Sequence, residues 1–142
     1  MEIKIKYHND NLTKISAIPN GDWIDLRAAE TVSLNAGDFH IISLGISVAL
    51  PEGYEAHIVP RSSTFKNYGL IQTNSMGIID CSYCGEDDIW GMPVYATKST
   101  VVTENDRICQ FRLVENMQKL TIIEVDSMNG QNRGGFGSTG VK

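Results

Sequence analysis

Between Asn74 and Glu86 the sequence reads Asn-Ser-Met-Gly-Ile-Ile-Asp-Cys-Ser-Tyr-Cys-Gly-Glu, a run of residue types that could do chemistry. Asp80 follows Ile78 and Ile79 directly. Asp is disfavoured in strands and costly to bury without a partner. A carboxylate held at the mouth of a rigid hairpin can act as a general base. The same Asp equally suits a turn whose backbone groups it satisfies. This stretch alone leaves both readings open. Ile78, Ile79 and Tyr83 suit a β-hairpin, with Gly77 and Gly85 able to take the backbone angles that a tight or bulged hairpin needs.

Other groupings carry less. Cys81-Ser82-Tyr83-Cys84 is a C-x-x-C pair. A zinc site needs a second pair or histidines at matching spacing, and the sequence supplies neither. A thioredoxin-like pair sits at a helix N-terminus, whereas this one lies in hairpin sequence. The odd count of three cysteines argues against a disulfide framework. His8, His40 and His57 stand singly among strand-like residues, as ordinary strand histidines do. Glu86-Asp87-Asp88 reads as a solvated turn rather than a second metal site.

The elements that must position these residues are strands. A chain of 142 residues, 42 % apolar, suffices for one domain with a real core. Ile3, Ile5 and Tyr7 alternate with lysines as a half-buried strand does. Short strand patterns recur around Trp23–Arg27, Val32–Leu34, Phe39–Leu44, Ile46–Leu50 and Tyr54–Ile58, separated by Gly and Pro turns. Arg61–Gly69 interrupts them with one or two helical turns. Strands resume at Leu70-Ile71, Val94–Ala96 and Val101–Thr103. From Arg107 to Val114 the pattern places Ile108, Gln110, Arg112 and Val114 on one face, and Arg107, Cys109, Phe111 and Leu113 on the other. Leu120–Val125 is expected to be the last strand. No long helix-period stretch appears.

The net charge of −5 and pI of about 5.1 repel a polyanion, so no nucleic-acid partner is expected. A small phosphate ligand or a metal ion needs only a few local groups and remains open. No apolar run approaches the ~20 residues of a membrane span, and Met1–Tyr7 has no apolar signal region. A cytoplasmic protein with no membrane partner is expected.

From Asn129 to Lys142 core-forming residues nearly vanish. The Gly, Ser and Thr residues with Arg133 offer amides, hydroxyls and a guanidinium, all donors to phosphate oxygens. Composition alone suits a loose tail. Phe136 weighs against that, because a lone aromatic in such a tail usually has something to cover. Such a tail is long enough to reach a neighbouring subunit at ~3.3 Å per residue.

Taken together, five short stretches resemble the motifs of the homotrimeric dUTP pyrophosphatases (dUTPases), most closely the bacterial and prophage type. They are Gly21-Asp22-Trp23-Ile24-Asp25-Leu26-Arg27-Ala28; Pro60-Arg61-Ser62-Ser63; Gly77-Ile78-Ile79-Asp80 with Tyr83-Cys84-Gly85-Glu86; Asn105-Asp106-Arg107-Ile108-Cys109-Gln110; and Gly134-Gly135-Phe136-Gly137-Ser138-Thr139-Gly140. Each is weak alone, and the five in order are highly specific. The family usually has Gly where Ser63 and Asn105 stand. Its tail arginine usually lies five residues before the Phe, at Gln131 here, whereas the nearest arginine is Arg133.

The resemblance implies an all-β, distorted jelly-roll-like barrel, a single domain over 1–142 with the barrel in 1–128 and a C-terminal lid tail in 129–142. It implies a homotrimer whose active sites are shared between chains. The implied reaction is hydrolysis of dUTP to dUMP and pyrophosphate with Mg²⁺, keeping uracil out of DNA and supplying dUMP for dTTP synthesis. Asp80 would activate the attacking water, and Asp25 would meet the metal through water. Arg61, Ser62, Ser63 and Gln110 would hold the phosphates. Asn74 and the backbone from Gly77 to Ile79 would read uracil, with Tyr83 beneath the deoxyribose. Phe136 would cover the base while Arg133, Gly137 and Ser138 close on the γ-phosphate. Two rivals of other classes remain: a deoxycytidine triphosphate deaminase of the same fold, and a nucleotide-gated module that binds a regulatory protein.

Overall fold

Eleven short strands and one helical turn build the protein, described here over residues 1–142 of a computed structural model. The strands are β1 (Lys4–Tyr7), β2 (Ile24–Arg27), β3 (Val32–Leu34), β4 (Phe39–Ser43), β5 (Ile46–Ala49) and β6 (Tyr54–Pro60). Helix α1 (Thr64–Tyr68) follows, then β7 (Leu70–Gln72), β8 (Gly77–Ile79), β9 (Gly91–Ala96), β10 (Thr100–Val102) and β11 (Arg107–Glu115). Every strand pairing is antiparallel. A four-stranded sheet runs β2-β11-β6-β8 and a three-stranded sheet runs β4-β9-β7, with ribbons β1-β5 and β10-β3 beside them. The fold is all-β, as expected, but the strands divide among four sheets and do not close into one continuous barrel ladder.

Alternation explains which faces meet. In β4, Ile42 points inward while Phe39 and Ile41 point outward. Inward residues of the two larger sheets, including Ile42, Met92, Val94, Ile58 and Phe111, form one core with Trp90. The Trp90 and Phe111 rings meet edge to face, centroids 5.4 Å apart at 87°, a geometry that the ring quadrupoles favour. Outward, Phe39, Tyr95 and Ile71 form one cross-strand row of exposed apolar side chains.

Three expectations change. First, β11 does not alternate strictly. Its register against β2 slips between Arg107 and Cys109, and this bulge buries both Ile108 and Cys109. Second, the expected hairpin around Asp80 does not form. Strand β8 pairs with β6, and residues 80–90 are irregular. Gly77 and Gly85 take no positive φ; Ser75 does, at φ 60°. What Gly77 supplies is room, since a Cβ there would lie 3.3 Å from the Ile58 side chain. Third, Leu120–Val125 forms no strand, and Ile122 is 89 % exposed. A strand-forming run needs a ladder to join, and this one pairs with no strand of its own chain. Regular structure ends at Glu115.

Candidate active site

Strand β6 organises two separate groups of polar residues. At its C-terminal end Pro60 leads into Arg61, Ser62 and Ser63 and then α1. There Gln110 of β11 lies opposite Asp25 of β2, and Cys109 opposite Pro60. Arg61 Nε donates to Asp25 Oδ1 at 3.0 Å, and Arg107 Nη1 donates to Asp25 Oδ2 at 3.1 Å. Gln110 Nε2 donates to Pro60 O at 3.2 Å. The Nη groups of Arg61 make no hydrogen bond within the chain, so an anion can take them.

Thr64 holds this end together. It is buried; its hydroxyl donates to Ile108 O at 2.7 Å and accepts from the Arg61 N–H at 3.0 Å. One side chain thus ties the Arg61 turn to β11. Tyr68 in α1 donates to Asp106 at 2.9 Å, and burial beside that carboxylate pushes its phenol up. Burial, with Asp25 nearby, pushes the Cys109 thiol up as well, so Cys109 is an inert core residue. Arg107 and Thr64 escaped the reading of the sequence. Arg107 stood inside a recognised motif, but nothing in its type distinguished it from a solvated strand arginine.

The second group lies at the other end of β6. Ile79 is opposite Ala56 and Gly77 opposite Ile58, so Asp80 falls beside Glu55. Strand β8 is the outer strand of its sheet, with one backbone edge free of ladder partners. A cavity of about 350 Å³ is lined by Ile78, Ile79, Asp80, Tyr83, Ile89 and Trp90, among others. The larger cavity, about 590 Å³ between β1, β2 and β11, contains none of the candidate site residues. Asp80 is exposed, and its Oδ1 accepts from both the N–H and the hydroxyl of Ser82. These bonds, the hydroxyl first, hold the Asp80 carboxyl below the usual carboxylate range. One Asp80 oxygen caps the turn, as the turn reading expects, and the other takes neither Ser82 bond.

The loop that carries Asp80 and Tyr83 is tied to the ribbon β1-β5. Ser47 donates to Glu86 O at 2.7 Å and lies 2.8 Å from His8 Nε2. Glu86 pairs with Lys6, which lowers its carboxyl, and Asp88 caps the Gly85 N–H at 2.8 Å. Glu86 and Asp88 thus have structural partners. Among the histidines, His40 pairs with Glu30 and His57 with Glu55.

No hydrogen bond, ion pair or cavity joins the Asp80 group to the Asp25 group. From Glu55 to Arg61 is six residues, about 20 Å of strand at ~3.3 Å each. The tail residues join neither group. Phe136 is 113 % exposed, and the tail bonds only to itself, Ser138 N–H to Gly135 O and Gly140 N–H to Gly137 O.

Comparison with known proteins decides the family. The dUTPase family model matches residues 23–140. The chain belongs to the dUTPase family. It is 54 % identical over 142 residues to the SPβ prophage-derived deoxyuridine 5′-triphosphate nucleotidohydrolase YosS of Bacillus subtilis, with all of both chains covered. It is 36 % identical over 128 residues to the deoxyuridine 5′-triphosphate nucleotidohydrolase of Leifsonia xyli, covering 89 % of this chain and 84 % of that one. The fold is similar to that of Staphylococcus bacteriophage 80alpha dUTPase with dUpNHpp, at TM-score 0.81, 21 % identity and 99 % coverage of both chains. It is similar too to a mutant dUTPase from phage phi11 of S. aureus that coordinates a structural Mg(II) ion, at TM-score 0.78 and 17 % identity, covering 92 % of this chain and all of that one.

Two departures from the dUTPase pattern have a backbone explanation. Ser63, at φ −95° and ψ −4°, needs no glycine. Asn105 sits at φ 76°, in the left-handed region that Gly occupies freely and Asn tolerates. Its side chain exchanges two 2.9 Å hydrogen bonds with Thr13, fixing the chain between β1 and β2.

Proposed function

We propose that this dUTPase-family chain hydrolyses dUTP to dUMP and pyrophosphate, with Asp80 as general base. One observation carries the reading. An ionised, solvent-facing carboxylate stands on the rim of a cavity walled by the outer strand β8 and Tyr83. The free backbone edge of β8 and Asn74 read uracil, because donors and acceptors in fixed order discriminate pyrimidines. Tyr83 lies beneath the deoxyribose and excludes a 2′-hydroxyl. Asp80 takes the proton of a water that attacks the α-phosphorus in line, and pyrophosphate leaves.

The phosphates belong to the Asp25 group. Arg61 and Gln110 hold them, and Ser62 and Ser63 add donors at the turn. Charge neutralisation and positioning are what such a reaction needs from a protein. No three His, Cys, Asp or Glu side chains gather to cage a metal. That suits Mg²⁺, which keeps waters and leans on substrate phosphates. Asp25, with lone pairs beyond its two arginine bonds, is the residue that would meet the ion through water. Bound there, Mg²⁺ would neutralise phosphate charge.

The two groups act on one substrate when they come from different chains. We therefore read the protein as a homotrimer with shared sites. The separation along β6, the exposed row Phe39-Tyr95-Ile71 and the exposed Leu120–Val125 support this, since apolar surface of that extent usually marks an interface. Residues 129–142 serve as the lid: Phe136 over the base, with Arg133, Gly137 and Ser138 on the γ-phosphate. The reading as a cytoplasmic enzyme is supported by three free cysteines, two of them exposed. No helix is long and apolar enough to cross a membrane.

The test is pyrophosphate release from dUTP, dTTP, dCTP and UTP with Mg²⁺, beside Asp80→Asn. Release from dUTP alone, abolished in the variant, is expected. Absence of release from dUTP would refute the reading, and ammonia from dCTP would replace it with the deaminase.

A further inference from the structure

Gln72 ends β7 where the chain crosses from the three-stranded sheet to the four-stranded one, and the mechanism above makes no use of it. Only 5 % of its surface is exposed. Its Nε2 donates to Ile58 O at 3.0 Å and to Asn74 Oδ1 at 2.9 Å. A backbone carbonyl can only accept, so Gln72 must turn its NH₂ toward Ile58. The same nitrogen then faces Asn74, which must turn its carbonyl toward Gln72. One backbone oxygen thus fixes the orientation of two amides, each of which could otherwise be turned over. The arrangement persists although Gln72 Oε1 is left buried without a partner. Turning the amide over would set Oε1 against Ile58 O and leave that carbonyl unsatisfied instead.

With Oδ1 turned toward Gln72, Asn74 presents Nδ2 on its other side. That nitrogen has no protein partner and lies beside Gly77, 3.7 Å from where a Cβ would stand. We propose that Gln72 is a positioning residue that sets pyrimidine specificity by locking the Asn74 NH₂ toward the base. This rests on the function proposed above, in which Asn74 meets the pyrimidine edge. At position 4 uracil carries a carbonyl oxygen and cytosine an amino group. A locked NH₂ pairs with the first and opposes the second. An unlocked Asn74 turns its amide over and accepts from the cytosine amino group.

Two substitutions test this. Gln72→Met keeps the volume and removes both donors. Gln72→Glu gives Asn74 an acceptor to donate to, which turns the Asn74 carbonyl outward. The readouts are kcat/KM for dUTP and dCTP with Mg²⁺, the Kd values of dUMP and dCMP, and the same ratios in an Asn74→Ala background. Gln72→Met should narrow the preference for the uracil nucleotide about tenfold or more, largely through KM. Gln72→Glu should narrow it further. In the Asn74→Ala background neither should change the ratio. An unchanged preference in the folded variants, or a change that survives Asn74→Ala, would overturn the proposal. Should both variants fail to fold, the Asn74 side-chain NH₂ signals of the wild-type protein in a ¹H–¹⁵N spectrum decide: a shift on adding dUMP but not dCMP supports the lock, and none refutes it. Failure of the wild-type protein to cleave dUTP refutes the proposed activity, while the dUMP and dCMP affinities still report on Gln72.

Discussion

Mixing two impaired variants tests whether one site is built from two chains. Asp80→Asn removes the base, and loss of a positioned base lowers the rate roughly 10²–10⁴-fold. Arg61→Ala removes the guanidinium bonded to Asp25 Oδ1, and loss of a charged hydrogen bond of ~1.5–3 kcal/mol lowers kcat/KM roughly 10- to 150-fold. Asp80 and Arg61 lie at opposite ends of β6, about 20 Å of strand apart. If each site takes Asp80 from one chain and Arg61 from its neighbour in a cyclic trimer, a site regains both when the two donors carry different lesions. For a fraction x of one variant the chance is x(1 − x), which peaks at about one quarter for an equal mixture. The two proteins are unfolded together, refolded at a series of ratios, and assayed for pyrophosphate release from dUTP. Activity should rise from the low rate of either parent to about one quarter of the wild-type rate in the middle. A straight line between the two parents, with no maximum, would refute the shared site.

Other substitutions separate the parts. Phe136→Ala should raise KM for dUTP roughly tenfold and leave Tm unchanged, because Phe136 contributes nothing to the folded body; a fall in Tm would contradict the lid. Ser82→Ala removes the largest influence holding the Asp80 carboxyl down. The Asp80 pKa should rise toward the ordinary ~3.9, moving the acid limb of the pH–rate profile, and the Asp80 carboxyl ¹³C titration, to higher pH. The sign follows from the ionised form being the one Ser82 stabilises, so the benefit is present above the ordinary carboxylate pKa and lost as pH falls through the lowered one. A shift to lower pH would contradict it. Thr64→Val keeps the shape and breaks two hydrogen bonds at a buried position, which should destabilise the fold by about 1–3 kcal/mol, read by urea unfolding, and reduce kcat/KM as the Arg61 turn loosens.

The strands were legible because alternation is a local signal. Tyr54, Ala56 and Ile58 marked β6, and Ile46 and Val48 marked β5, without reference to anything distant. The misses lie where a distant partner decides. The Arg107–Cys109 slip depends on the register of β2 against β11. The run from Gly77 to Ile79 looked like half a hairpin, yet its partner is β6, about twenty residues earlier in the chain. Leu120–Val125 has the composition of a strand, but composition does not name the ladder it joins. The chemistry divides in the same way. Asp80 stood out because a carboxylate directly after two isoleucines demands a reason, whereas Asp25 was marked only by the family resemblance. Thr64 and Gln72 did not, because a buried hydroxyl or amide shows its importance only through the groups it bonds.

The exposure of Phe136 sets a limit on how the proposed lid can work. Burying one aromatic ring contributes about 2–3 kcal/mol. Ordering the eight residues from Arg133 to Gly140 costs at least ~1 kcal/mol each in backbone entropy, roughly 8 kcal/mol in all. Stacking on a base therefore cannot hold the tail down. Charge-assisted hydrogen bonds from Arg133, Ser138 and the glycine amides to phosphate, each worth about 1.5–3 kcal/mol, are needed to make up the difference. A nucleoside monophosphate offers too few acceptors at that end, whereas a triphosphate offers enough. On this arithmetic the proposed lid would close on dUTP and open once pyrophosphate has gone, so a tail that bonds only to itself would couple closure to the bond about to be broken.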